Sequence, residues 1–170
     1  NLNVQQLNND QGTVYADGKL DVIAAQNISN QQGLIASQQA LSLKGQNLNN
    51  QKGQIQSEQS DVNLSFNQGI NNQSGSIQAA QALTIDSPNL NNQNGQLISG
   101  IDTSIHATEL NNQSGTIYSK KQLDLNVTGT IDNSAGTLAT EQALRLNAQQ
   151  LLNDAGQIRS QQDQLKLNVE

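Results

Sequence analysis

The stretch Leu110-Asn111-Asn112-Gln113-Ser114-Gly115-Thr116-Ile117-Tyr118-Ser119-Lys120-Lys121-Gln122-Leu123-Asp124-Leu125-Asn126-Val127 decides the fold. Its second half alternates: Leu123, Leu125 and Val127 share one side, Asp124 and Asn126 the other. Alternation of period two marks a strand, because successive side chains point to opposite faces. Ile117 and Ser119 alternate with Thr116 and Tyr118 in the same way. The Asn-Asn-Gln-Ser-Gly segment before them has turn chemistry.

Moving outward in both directions, the pattern recurs. Glycine sets the register at Gly12, Gly33, Gly53, Gly75, Gly95, Gly115, Gly136 and Gly156, spaced by 20 to 22 residues. Three residues before each stands an asparagine: Asn9, Asn30, Asn50, Asn72, Asn92, Asn112, Asn133 and Asn153. Five before is Leu or Ile, two after is Val, Ile or Leu, and four after is Ala, Ser or Thr. An alternating triplet follows, as in Leu20-Val22-Ala24 and Leu83-Ile85-Ser87. It is shifted by one in Val62-Leu64-Phe66 and Leu165-Leu167-Val169. All length variation is assigned to turns and none to a strand, as expected where backbone faces water. The poorest copy has Thr103 in place of leucine and Ile101 in a turn.

Each copy holds two clear short strands and a third extended piece ending in Leu-Asn-Asn. Three straight pieces and three corners make one triangular coil. One coil cannot bury its apolar side, but stacked coils can, each strand pairing in parallel with its equivalents above and below. The expected fold is therefore all-β: a right-handed parallel β-helix of about eight 20–22-residue coils. The hand follows from strand twist and the crossover rule. At about 4.8 Å per coil the rod is about 40 Å long. Residues 1–170 read as a single β-helix segment. The chain opens inside a coil and stops soon after a strand, so it reads as a piece of a longer protein with both ends open. Such ends are expected to fray or to stack end to end.

The eight strict asparagines read as a structural ladder. The neighbouring position (Asn8, Asn49, Asn71, Asn91, Asn111) tolerates Ser29, Asp132 and Leu152. That places the tolerant residue towards water and the strict one inward. An inward amide at a corner can satisfy backbone groups and bond to its equivalents along the rod, forming a ladder. The strict glycine is expected to supply φ > 0 to the turn. Metal binding by this column is disfavoured, since asparagine without carboxylates holds cations poorly.

Composition narrows the function classes. The 170 residues are 34% hydrophobic and 2% aromatic, with one Phe, two Tyr and no Cys, and only 13% are charged. Such an Asn/Gln-rich composition by itself suits a disordered segment; the repeat outweighs that. A net charge of -6 argues against a nucleic-acid or anionic-lipid surface. No disulfide or thiolate site is available.

The repeat from Leu110 to Val127 resembles the haemagglutination-activity repeat of filamentous haemagglutinins and contact-dependent growth inhibition toxins, the large exoproteins of Gram-negative two-partner secretion. The resemblance spans essentially the whole chain. It implies a β-helical filament outside the cell, exported by an outer-membrane transporter. Secretion and effector or adhesive regions would lie elsewhere in the parent protein.

No catalytic constellation emerges from the residues. Asp124 and Arg145 share an outward column in successive coils and should pair. Asp132, Asp154, Asp61 and Glu58 read as solvated turn residues. His106, the only histidine, follows inward Ile105 and should face solvent. Tyr15 and Tyr118 face outward five coils apart. The reading is a non-catalytic shaft with no catalytic, cofactor or metal residues, secreted or at the Gram-negative cell surface. The alternatives are a face that engages host glycan or a neighbouring cell's receptor and, third, a polysaccharide-active enzyme.

Overall fold

The computed structural model describes residues 1–170 and contains strands and turns without helix. All strand pairs are parallel, and each joins residues one coil apart. The coils stack as a β-solenoid.

The first face is an eight-stranded sheet running from Thr13–Ala16 to Gln157–Ser160. Its register aligns Val14, Ile35, Ile55, Ile77, Leu97, Ile117, Leu138 and Ile158 in one column. The second face carries the triplets and the third the Leu-Asn-Asn pieces. These two faces form one fifteen-stranded sheet, because Leu41–Asn49 and Val62–Asn71 run through the corner between them without a break.

That continuity corrects one expectation. The register steps from Gly45 opposite Phe66 to Asn47 opposite Gly69, so Asn67 and Gln68 lie opposite Gln46 alone. One extra residue therefore sits inside a strand, as a β-bulge. A bulge absorbs an insertion by bending the strand and giving up local pairing.

Inside, thirty buried residues form one continuous apolar cluster, and columns of like side chains run along the rod. Large aromatics are not needed, since each aliphatic packs on its equivalents above and below. The exception is Phe66, 2% exposed, which fills the space above Gly45. A Cβ on Gly45 would lie 3.2 Å from Phe66 Cε1 and 2.8 Å from the Gln26 carbonyl oxygen. The poorest copy holds because its polar residue is bonded. Thr103 Oγ1 donates to Ser99 Oγ at 2.8 Å, and Ser99 Oγ donates to Ser119 Oγ at 3.1 Å. In the first and last strands Leu2, Leu165, Leu167 and Val169 are exposed.

Candidate functional site: the asparagine corner

Each strict asparagine opens a four-residue turn in which the glycine N–H donates to the asparagine carbonyl, as Gly95 does to Asn92 at 2.9 Å. From Asn30 to Asn133 these side chains are fully buried; Asn9 is 7% exposed and Asn153 half-buried. Their amides form an unbroken ladder. Each Nδ2 donates to the next Oδ1 at 2.7 Å, from Asn9 to Asn30 through to Asn133 to Asn153. The same Nδ2 reaches its own turn's glycine carbonyl and a carbonyl of the next coil. For Asn92 these are Gly95 at 3.3 Å and Thr116 at 3.3 Å. The amide thus adds a second donor to carbonyls that already accept a strand N–H, as Gly95 O does from Thr116 at 2.9 Å, and ties each turn to the coil above it.

The conformation of the glycine differs from the expectation. No glycine has positive φ; the residue before it does, in every copy, with φ from 53° to 57° at Gln11, Gln32, Lys52, Ser74, Asn94, Ser114, Ala135 and Ala155. A positive φ at the third turn position is the type II signature. Glycine is required for close approach instead. A Cβ on Gly95 would fall 2.6 Å from Asn92 Oδ1 and 3.0 Å from Asn72 Nδ2, and would overlap the Asn72 carbonyl oxygen of the previous coil. Gly95→Ala is therefore expected to lower stability by about 2–3 kcal/mol through overpacking. Ala135→Gly, one position earlier in its own turn, should raise it by about 0.5–1 kcal/mol by relieving a left-handed alanine. Urea denaturation of both variants checks the opposite signs.

Two further ladders flank the first. The outer asparagines are half-buried, and their Oδ1 atoms accept the N–H two residues on. Examples are Asn91 from Gln93 at 3.1 Å and Asn111 from Gln113 at 3.0 Å. Asn91 Nδ2 also donates back to Asn71 Oδ1 at 3.2 Å, against the direction of the inner ladder. The tolerant position is thus not merely solvated. Beside it runs a glutamine ladder that the sequence reading missed: Gln51 to Gln73 at 2.9 Å, Gln73 to Gln93 at 3.2 Å and Gln93 to Gln113 at 3.3 Å.

Several acidic residues turn out to cap backbone. Asp10 accepts the Gln31 N–H, Asp61 that of Ala82, Asp102 that of Gln122 and Glu109 that of Thr130. Asp132 ends the glutamine ladder, accepting Gln113 Nε2 at 2.6 Å and the Ser134 N–H at 3.0 Å. Burial pushes the Asp132 carboxyl up, but the hydrogen bonds from Ser134 and Gln113 outweigh it and hold the pKa below the ordinary aspartate value. A depressed folded-state pKa contributes stability above the unfolded value, and this is lost as pH falls through the folded value. Wild-type melting temperature should therefore drop more steeply below about pH 4 than that of Asp132→Asn, which keeps the turn bond without the charge. Parallel acid melting curves would show that Asp132 contributes nothing.

The remaining candidates lie apart. Arg145 Nη1 stands 3.6 Å from Asp124 Oδ1 with both side chains about half exposed, a pairing worth at most about 1 kcal/mol. His106 is exposed; Asp86 stands beside it in the same outward column one coil earlier, and no group of three or more His, Cys, Asp or Glu side chains forms there. Tyr118 donates its hydroxyl to Glu141 Oε1 at 2.7 Å, and that bond, with burial, raises its pKa.

No curated protein and no solved structure matches the chain. The family model described as haemagglutinin repeat matches at residues 1–32, 15–65, 59–102, 89–135 and 102–168. Those overlapping matches run over nearly the full length, and the chain belongs to the haemagglutinin repeat family.

Proposed function

We propose that this chain is a non-catalytic, rigid shaft segment of a large secreted or surface-attached bacterial protein, holding an adhesive or toxin-delivering region away from the cell. Its parent would be exported by a two-partner-secretion transporter in a Gram-negative outer membrane. The observation that carries the reading is the unbroken inner ladder: seven successive 2.7 Å amide bonds join all eight turns, with parallel strands in register beside them. A rod bonded this way resists bending, since bending would stretch bonds on one side at every coil. Several acids are engaged as backbone caps rather than gathered into a cluster, which supports a non-catalytic role.

Two measurements test this. A glycan screen with the chain should find no ligand; a specific ligand would favour a binding module instead. Removing the segment from its parent should shorten the projecting filament by about 40 Å in electron micrographs. An unchanged length would overturn the shaft assignment.

A further inference from the structure

The left-handed turn position holds Gln, Lys, Ser or Ala in seven of the eight turns. In the fifth turn it holds Asn94, exposed, at φ 54° and followed by Gly95. Asn94-Gly95 is the only Asn-Gly pair in the chain. Such a pair carries its own reaction, because glycine has no Cβ to shield its backbone nitrogen. The Gly95 nitrogen attacks Asn94 Cγ and closes a five-membered imide. The new C–N bond forms as the Cγ–Nδ2 bond breaks, and Nδ2 leaves as ammonia with the Gly95 proton. Water then opens the imide. Cleavage at Cγ restores the ordinary main chain and leaves aspartate. Cleavage at the backbone carbonyl routes the main chain through the side chain, as isoaspartate.

The folded turn forbids the ring. The third position of a type II turn has ψ near zero, whereas ring closure needs the Gly95 nitrogen in line with Asn94 Cβ, a rotation of roughly 120° about Cα–C. That rotation would break the bond from the Gly95 N–H to the Asn92 carbonyl at 2.9 Å. It would also swing out the Gly95 carbonyl, which accepts the Thr116 N–H at 2.9 Å and Asn92 Nδ2 at 3.3 Å. Asn94 cannot turn as a unit either, since its N–H is held by the Gln113 carbonyl of the next coil at 3.0 Å.

We infer that Asn94-Gly95 is a self-modification site, closed by folding and open in the unfolded chain, whose isoaspartate product cannot rebuild the fifth turn. Isoaspartate adds one main-chain atom just before Gly95. Even a Cβ on Gly95 would overlap the Asn72 carbonyl oxygen of the previous coil and fall 2.6 Å from Asn92 Oδ1. The strand that follows, Gln96–Ser99, is held in register from both sides, so it cannot shift to take up the extra length. Aspartate keeps the backbone unchanged and places its carboxylate in water. The pair therefore records time spent unfolded: a rod that folds promptly keeps the amide, and a chain that waits loses its ability to stack.

Two samples of the 170-residue chain, one folded and one in guanidinium chloride, are held at the same mildly alkaline pH and temperature, then mapped by peptide mass spectrometry. Conversion at position 94 should be at least roughly tenfold slower in the folded sample, because reaction runs only through locally opened molecules. On removal of denaturant, isoaspartate chains should stay unfolded or melt at clearly lower urea, while aspartate chains refold. Asn94→Asp, which supplies the charge without the extra atom, should refold like wild type. Asn94→Ser, which copies Ser74 and Ser114 of the same column, should refold fully however long it waits. Equal conversion in the two samples would overturn the proposal. So would isoaspartate chains with the wild-type urea midpoint, an Asn94→Asp chain that fails to refold, or the same ageing loss in Asn94→Ser.

Discussion

Asn92→Leu is expected to destabilise the rod by about 3–5 kcal/mol. Leucine has the branched shape of asparagine but a larger volume, so some overpacking adds to the loss of hydrogen bonds. Asn112 Oδ1 loses the donor that reaches it at 2.7 Å, and Asn72 Nδ2 loses its acceptor at the same distance. The Gly95 carbonyl keeps the Thr116 N–H at 2.9 Å and loses only its second donor, so it is not among the orphaned groups. All of this lies where Asn72, Asn92 and Asn112 are fully buried, so water cannot replace the missing partners, and each orphaned group costs about 1–3 kcal/mol. Asn91→Ser, one residue away, should cost no more than about 1 kcal/mol, since a serine hydroxyl can still accept the Gln93 N–H. Ser29 already occupies the same column. Urea denaturation of the two variants decides: equal midpoints would remove the inner ladder from any account of stability.

The second large effect is expected at Phe66→Ala, about 3–5 kcal/mol. Phe66 is the only phenylalanine, and its column otherwise holds small residues or valine: Ala24, Gly45, Ser87, Ala107, Val127 and Ala148. Removing the ring leaves a cavity that a rigid stack cannot close, because its neighbours are held in register from both sides. Gly45→Ala alone should also destabilise, since its Cβ would meet both the ring and the Gln26 carbonyl oxygen. Combined with Phe66→Ala it should cost less than the two losses summed, because the ring is one of its two obstacles. Strict additivity in the double-mutant cycle would show that Gly45 and Phe66 do not share one space.

Much of this architecture was legible because a solenoid writes each structural requirement eight times. The aliphatic columns, the Asn column and the Gly column stand out by repetition alone. What stayed hidden lacked a shared chemistry or was masked by abundance. The left-handed turn position holds Gln, Lys, Ser, Asn and Ala, so no residue type advertises it, and the adjacent glycine drew the assignment instead. That glycine is explained only when the previous coil's carbonyl is in place, a contact across 20 residues or more. The glutamine ladder was masked because glutamine is common throughout the chain. The bulge at Asn67 and Gln68 was missed because a corner between two strands normally interrupts pairing, and here the strand continues through it. The acidic caps reach into the next coil, so local sequence around Asp61 or Glu109 gives no hint of them.

The constant step between paired strands has a kinetic consequence. Each strand's partner is 20 to 22 residues away, whether the rod has eight coils or many more. Closing a loop of that length costs the same entropy at every addition, and the relative contact order falls as the chain lengthens. The first pair of coils bears the cost of nucleation with only one interface to offset it. Each later coil docks on a finished template and gains a full interface. Folding of such a rod should therefore proceed by linear growth at a steady rate per coil, with a lag set by the first two and independent of final length.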